Sequence, residues 1–308
     1  MVEGDVQQTG IVRSILDLVA AAVAAAAERW LVAERALVAS GRMLQTTHPG
    51  RALLRRVLDR LIRRLHASAK SHRVASIAGM RVVVDTATRP GRTVYFEQAL
   101  YEAPVTRLVT ELQAGDTFID VGANVGFFTV LAALRVGPQG RVLAFEPNPE
   151  VRAQLEDNLA RNGVAAVVSV EQTALTDRRG ETALFLSERE SGVSSVVPDR
   201  APLPADLFSS SVTVRTATLD EYVEARALAP ALVKIDVEGA EDLVLQGFTR
   251  TLATAPPPRI VCETAAGSAA DRLLRAHGYE ARRLDDSAIG NILYQRRSAR
   301  GASRTPPG

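Results

Sequence analysis

The chain has 308 residues, 46% of them apolar and 23% charged, which suits one large globular domain with an appendage and excludes disorder as its default state. A formal net charge of +2 creates no overall field for nucleic acid, although local arginine-rich stretches lift the sequence pI to about 8.9. The single cysteine, Cys262, excludes an internal disulfide, and no Cys/His pattern has zinc spacing, so the expected compartment is the cytoplasm.

The opening stretch MVEGDVQQTG lacks a basic n-region, so no export signal is expected. The apolar run from Leu18 to Ala27 falls short of the ~20 residues that a membrane span needs. Within the Ala-, Leu- and Arg-rich residues 11–70, LLRRVLDRLIRRL places Leu53, Leu54, Val57, Leu58, Leu61, Ile62 and Leu65 on one helical stripe. Its arginines fall on the opposite side. The favoured reading of this basic helix, 51–66, is a cap on the following domain or a homo-oligomer contact; peripheral membrane or polyanion contact is the sharper alternative.

From about residue 75, short apolar runs alternate with helical stretches, which predicts a mostly parallel α/β sheet. Strands are expected over 80–85, 117–122, 141–147, 167–172, 181–187, 212–219, 232–237, 259–264, 279–284 and 291–296. Helices are expected over 103–113, 126–136, 149–162, 241–253 and 268–277, with 188–211 a mobile inserted loop. The expected division is a helical extension over 1–75, an α/β domain over 76–297 and a disordered tail over 298–308.

After the strand 117–122 the sequence runs Gly122-Ala-Asn124-Val-Gly126. A dinucleotide fingerprint wants glycine where Asn124 stands, so that backbone can approach a pyrophosphate; that counts against NAD. No Gly-Lys-Ser/Thr follows, which excludes a Walker loop. Glu146 closes the next strand, where a carboxylate can accept both hydroxyls of a ribose. A ribose without a pyrophosphate fits S-adenosylmethionine, whose zwitterionic tail suits backbone amides together with Asp120 and Asn124.

Here the sequence resembles the FkbM family of S-adenosylmethionine-dependent methyltransferases. FIDVGANVGFFTVLAA, VLAFEPNPEVRAQLEDNLARNG, QTALTDRRGETALFL, TATLDEYV and LVKIDVEGAEDLVLQGF follow its order and spacing, with IVCET, HGYE and the upstream ALYEAPVTRLV, over about residues 80–296. The resemblance implies a class I methyltransferase (Rossmann-like) doubly wound sheet with an antiparallel edge strand, and methyl transfer to an oxygen of a sugar, lipid or polyketide-type metabolite. It also implies that Gly122, Asn124 and Gly126 line the methionine moiety, Glu146 the ribose, and Thr173 and Ala174 the adenine edge.

KIDVEGAE puts Asp236 at the end of a strand beside the glycine-loop strand, with Glu238 in the turn and Glu263 one strand further. These three carboxylates could converge near the sulfonium, with Asp236 also contacting the cofactor. They could accept a hydroxyl proton or hold Mg²⁺ that orients the alcohol. Glu241 reads as a favourable charge at a helix N-terminus. Lys234, two before Asp236, shares its strand face and should pair with it. None of His48, His66, His72 and His277 is an obvious base, and Tyr101 and Glu102 are candidate cofactor or acceptor contacts. N-methylation of an amine, a non-catalytic binding module built on the cofactor fold, and an NAD dehydrogenase are the rival readings, with a small hydroxylated molecule as the expected partner.

Overall fold

The computed structural model describes residues 72–296 except 87, 97–99, 188–192, 202–204 and 255. The basic helix 51–66, His48, His66 and the tail lie outside the described residues.

The described chain opens with a hairpin, β1 (His72–Ile77) and β2 (Met80–Asp85), whose antiparallel register pairs Ile77 with Met80. The connecting Ala78 and Gly79 both have positive φ, 51° and 80°, the signs a two-residue type I′ turn requires. Only β2 was expected from the sequence; the Ala-Gly pair was the overlooked turn signal. Helices α1 (Arg89–Phe96) and α2 (Ala103–Thr110) follow, then β3 (Thr117–Val121), α3 (Phe127–Val136), β4 (Arg141–Phe145), α4 (Pro149–Arg161) and β5 (Val168–Glu171). An inserted unit comprises β6 (Ala174–Leu175), β7 (Gly180–Ser187), β8 (Ser194–Ser195) and β9 (Phe208–Ala217). The chain then returns through α5 (Leu219–Ala225), β10 (Pro230–Ile235), α6 (Glu241–Gln246), α7 (Thr249–Leu252), β11 (Arg259–Thr264), α8 (Ala269–Ala276), β12 (Glu280–Arg283) and β13 (Gly290–Gln295).

The main sheet has seven strands in the order β12-β13-β11-β10-β3-β4-β5. Pairing is parallel from β11 through β10, β3 and β4 to β5. β13 runs antiparallel to both neighbours, so the antiparallel strand expected at the edge sits one position in, with β12 beyond it. Strand alternation feeds two cores. Phe118, Leu232 and Val261 face a cluster with α3, α4 and the β1–β2 hairpin, while Ile119, Val233 and Ile260 face a second with α5, α6, α7 and α8. Fully burying one such side chain contributes about 1.5–3 kcal/mol.

Two expectations change in detail. The strands at 181–187 and 212–219 are not in the main sheet: β7 and β9 pair with each other, and with β8 and β6, in a separate four-stranded sheet around Ala174, Leu184 and Val214. The helix expected over 241–253 breaks after Gln246, because Gly247 lies against the neighbouring segment, where a Cβ would fall 2.2 Å from the Thr176 carbonyl oxygen. Helix α5, unanticipated, starts at a capping box in which the Thr218 hydroxyl accepts the Glu221 backbone amide and the Glu221 carboxylate accepts the Thr218 backbone amide. No described helix is long and apolar enough to cross a membrane.

Candidate active site

Strand order reverses between β3 and β10, and the crevice at the carboxyl ends of these strands opens into a cavity of about 630 Å³. Of the residues expected at the site, Gly122, Asn124, Glu146, Thr173, Ala174, Asp236, Glu238 and Glu263 line it, together with Tyr101 and Glu102. The inserted sheet contributes one wall through Leu184, Leu186 and Ser194.

Asp120 and Gly126 stand behind this lining. Asp120, 1% exposed, accepts the Thr129 hydroxyl at 2.6 Å through Oδ2, and its Oδ1 is buried without a partner. Gly126 packs on α4, where a Cβ would fall 2.2 Å from Leu155 Cδ1. Gly122 serves strand packing too: at φ 79°, its Cβ would fall 1.8 Å from the Asp236 carbonyl oxygen.

The glycine loop spends its own amides, contrary to the expectation that they meet the ligand. Gly122 and Ala123 donate to the Phe145 carbonyl, Asn124 to Glu146 Oε2, Val125 to Asn124 Oδ1 and Gly126 to the Ala123 carbonyl. A pyrophosphate cradle needs such donors free, so this geometry counts further against a dinucleotide. S-adenosylmethionine fits better. α3 opens at Gly126 without a side-chain cap, so a carboxylate beside Phe127 and Phe128 in the cavity meets the positive end of that helix. Glu146, 4% exposed, uses one acceptor position of each oxygen on Asn124 and Asn148 amides, at 2.9 Å each, and retains capacity for a diol. Burial pushes its carboxyl up to about 7 against those two hydrogen bonds.

Sequence reasoning missed the residues that brace this loop. Asn158, fully buried on α4, accepts the Val83 amide at 2.7 Å and donates to the Val125 carbonyl at 2.8 Å, tying hairpin to loop. Thr173 Oγ1 lies 3.1 Å from the Tyr222 hydroxyl, which comes from α5. The sequence signal for Asn158 was a polar side chain on the face of α4 that buries Val151, Leu155 and Leu159.

The carboxylates do converge. Lys234 Nζ lies 2.9 Å from Asp236 Oδ2, the pairing expected from strand alternation, and 5.3 Å from the centroid of the Phe128 ring. Burial opposes the lysine's charge, but Asp236, Asp120 and Glu102 hold its pKa above the ordinary value. Burial likewise opposes the charge on Asp236, yet Lys234 and a hydrogen bond from Glu263 hold its carboxyl below the usual range. Glu263 is pushed up, first by the charge of Asp236 and then by burial, which biases the proton of this carboxyl pair toward it. Glu238 is pushed up to about 7 by burial, with Asp236 and Glu241 adding to it.

Among the described residues no group of three or more His, Cys, Asp and Glu side chains is placed to hold a metal ion. The Mg²⁺ reading of Asp236, Glu238 and Glu263 therefore gains no support, since Asp236 already engages Lys234 and Glu263. Glu241 accepts the Gly239 amide at 3.0 Å and closes the turn ahead of α6, consistent with its expected local role. His277 caps the end of α8, with Nδ1 2.9 Å from the Leu273 carbonyl, and His72 is exposed on β1.

Five non-glycine residues among those described have positive φ, and three of them, Glu102 (41°), Asn124 (51°) and Glu238 (55°), line the cavity. Such conformations cost of order 1–3 kcal/mol and persist where neighbours over-determine them. At Glu238 the inserted sheet does this. The Ser195 hydroxyl donates to the Glu238 carbonyl at 2.7 Å, Arg200 pairs with Asp242, and a Cβ on Gly239 would fall 2.6 Å from the Arg200 carbonyl oxygen.

Comparison with known proteins agrees with this architecture. The family model for the methyltransferase FkbM domain matches residues 120–281, more than half the chain, and the model for protein-L-isoaspartate(D-aspartate) O-methyltransferase matches residues 59–176. The methyltransferase sdnD of Sordaria araneosa is 31% identical over 166 residues, covering 45% of this chain and 62% of that protein. The 31-O-demethyl-FK506 methyltransferase FkbM of Streptomyces tacrolimicus is 32% identical over 161 residues, covering 44% and 61%. The hexuronic acid methyltransferase AglP of Haloferax volcanii is 31% identical over 155 residues, covering 47% and 55%. Each match thus spans less than two thirds of the relative's own length.

Proposed function

The chain belongs to the FkbM methyltransferase family, and from that premise we propose that it transfers the methyl group of S-adenosylmethionine to a hydroxyl oxygen of a sugar, glycolipid or polyketide-type metabolite. The observation that carries this reading is one cavity lined by Asn124, Glu146 and Thr173 together with Asp236, Glu238 and Glu263. Bound there, S-adenosylmethionine supplies an electrophilic methyl on a sulfonium. The protein's residues do the rest.

Glu146 holds the ribose diol, Asn124 and the N-terminal end of α3 hold the amino-acid tail, and Thr173 with Ala174 bounds the adenine. The ionised Asp236 places a carboxylate beside the sulfonium, with its charge compensated by Lys234. Glu263, protonated, donates to Asp236 and fixes its orientation. Glu238 is the general base, because a group near pH 7 is ionised often enough to accept a proton and basic enough to keep it, a contribution of ~10²–10⁴ in rate. Holding the hydroxyl oxygen in line with the methyl supplies the larger share, up to ~7–11 kcal/mol. The test is a tritiated-methyl transfer assay over hydroxylated glycosides, glycolipids and macrolides with the wild type and Glu238→Gln. Transfer to one class, reduced by about two orders of magnitude or more in the variant, is expected; transfer only to amines would sink the oxygen acceptor.

A further inference from the structure

Behind the carboxylate end of the main cavity lies a second cavity of about 280 Å³, bounded by Val105, Asp285, Ile289 and Asn291. Glu102 and Glu263 line both, so the two spaces share these carboxyl groups as a common wall. We infer that the second cavity is an acceptor subsite, which takes one hydroxylated ring without an anionic group and brings its reacting hydroxyl to that wall. This inference rests on the methyltransferase reading above.

Size sets the first constraint. Cavities for drug-sized ligands begin at about 300 Å³, so this one accommodates a single ring rather than a macrocycle. Lining chemistry sets the second. Asn291, a cavity-lining residue, donates its amide hydrogen to Glu102 at 3.1 Å, which leaves its amide oxygen as an acceptor for a ligand hydroxyl. Ile289, 46% exposed, offers an apolar face of the kind that the C–H side of a ring covers.

Charge sets the third. Asp285 is committed to its own loop, accepting the Ser287 amide at 2.8 Å and the Asn291 amide at 2.9 Å. Burial biases Glu102 toward its protonated form, and Asp236 does the same to Glu263. The shared wall therefore offers carboxyl and amide groups that donate and accept hydrogen bonds to a ring hydroxyl. An anionic ring would bring a further negative charge among Glu102, Glu263 and Asp285, with no lysine, arginine or histidine among the described residues of the lining to offset it. A hydroxylated ring without a negative charge of its own is the chemistry these groups favour.

The experiment is saturation-transfer NMR on the full chain loaded with S-adenosylhomocysteine, using methyl β-glucopyranoside, methyl β-glucuronide and cyclohexylamine as probes. The neutral glycoside is expected to bind. Ile289→Trp is expected to weaken it about tenfold or more, the effect of misfitting an apolar contact, while calorimetry shows unchanged affinity for S-adenosylhomocysteine. Ile289 is half exposed, so this substitution leaves the core untouched. Undiminished binding by the variant, a preference for the uronide or the amine, or no ring binding to the loaded chain would overturn the subsite alone. Failure of S-adenosylhomocysteine itself to bind would overturn the methyltransferase reading and the subsite with it.

Discussion

Lys234 Nζ sits 2.9 Å from Asp236 Oδ2, and the two residues, two apart along one strand face, form the charged floor of the cavity. Lys234 is 3% exposed, so removing it leaves a poorly solvated carboxylate behind. Lys234→Met is expected to destabilise the fold by about 3–5 kcal/mol. A urea titration reads this as a lower midpoint at unchanged slope; an unmoved midpoint would show that the pair contributes nothing.

Gly122→Ala places a methyl 1.8 Å from the Asp236 carbonyl, where backbone must move, at a φ of 79° that L residues rarely adopt. The expected cost is at the upper end of, or above, the ~1–3 kcal/mol of core overpacking, with S-adenosylmethionine binding lost. Gly115→Ala is the control. Its φ of 88° is similarly unfavourable but nothing lies within 4 Å, so only the left-handed cost of about 1–2 kcal/mol should appear. Equal effects at both positions would mean that the close approach of β3 to β10 is immaterial.

Two carboxyls near pH 7 give separable profiles. Glu238 accepts a proton only when ionised, so kcat should fall about tenfold per pH unit below about 7 and level off above it. Glu146 binds a diol best when ionised, so the Kd for S-adenosylmethionine should rise as pH drops through about 7. Glu238→Gln should abolish the inflection in kcat and leave that in Kd. Persistence of the kcat inflection would move the base elsewhere.

Asn158→Leu keeps the volume but removes the bonds to Val83 and Val125. Each buried backbone group left unmet costs about 1–3 kcal/mol. Thermal denaturation should show the loss, and weaker S-adenosylmethionine binding should accompany it, because the Val125 carbonyl anchors the glycine loop. Full affinity in a destabilised variant would separate loop geometry from hairpin packing.

Much of this architecture is legible in the sequence. Alternation of short apolar runs with helices gave the parallel sheet, and the places of Gly122, Glu146 and Asp236 at strand ends gave the crevice, because parallel strands put their carboxyl ends on one edge. The Lys234 and Asp236 pair followed from a period of two. What stayed hidden depends on contacts between distant segments. Nothing local marks Glu102 or Glu238 as left-handed; the inserted sheet imposes the latter through Ser195 and Gly239. β7 and β9 read like main-sheet strands, since alternation does not say which partner a strand chooses. The spent loop amides were invisible too, because the Phe145 carbonyl that takes two of them belongs to another strand.

Calorimetric titration of the purified chain with S-adenosylmethionine, S-adenosylhomocysteine and NAD, alongside Glu146→Gln, addresses the cofactor at its source. Binding of the first two and not of NAD, weakened about tenfold or more when the ribose-facing carboxylate loses its charge, is the expected result. A preference for NAD, or no response to either methyl-cycle ligand, would contradict a methyltransferase site in this cavity.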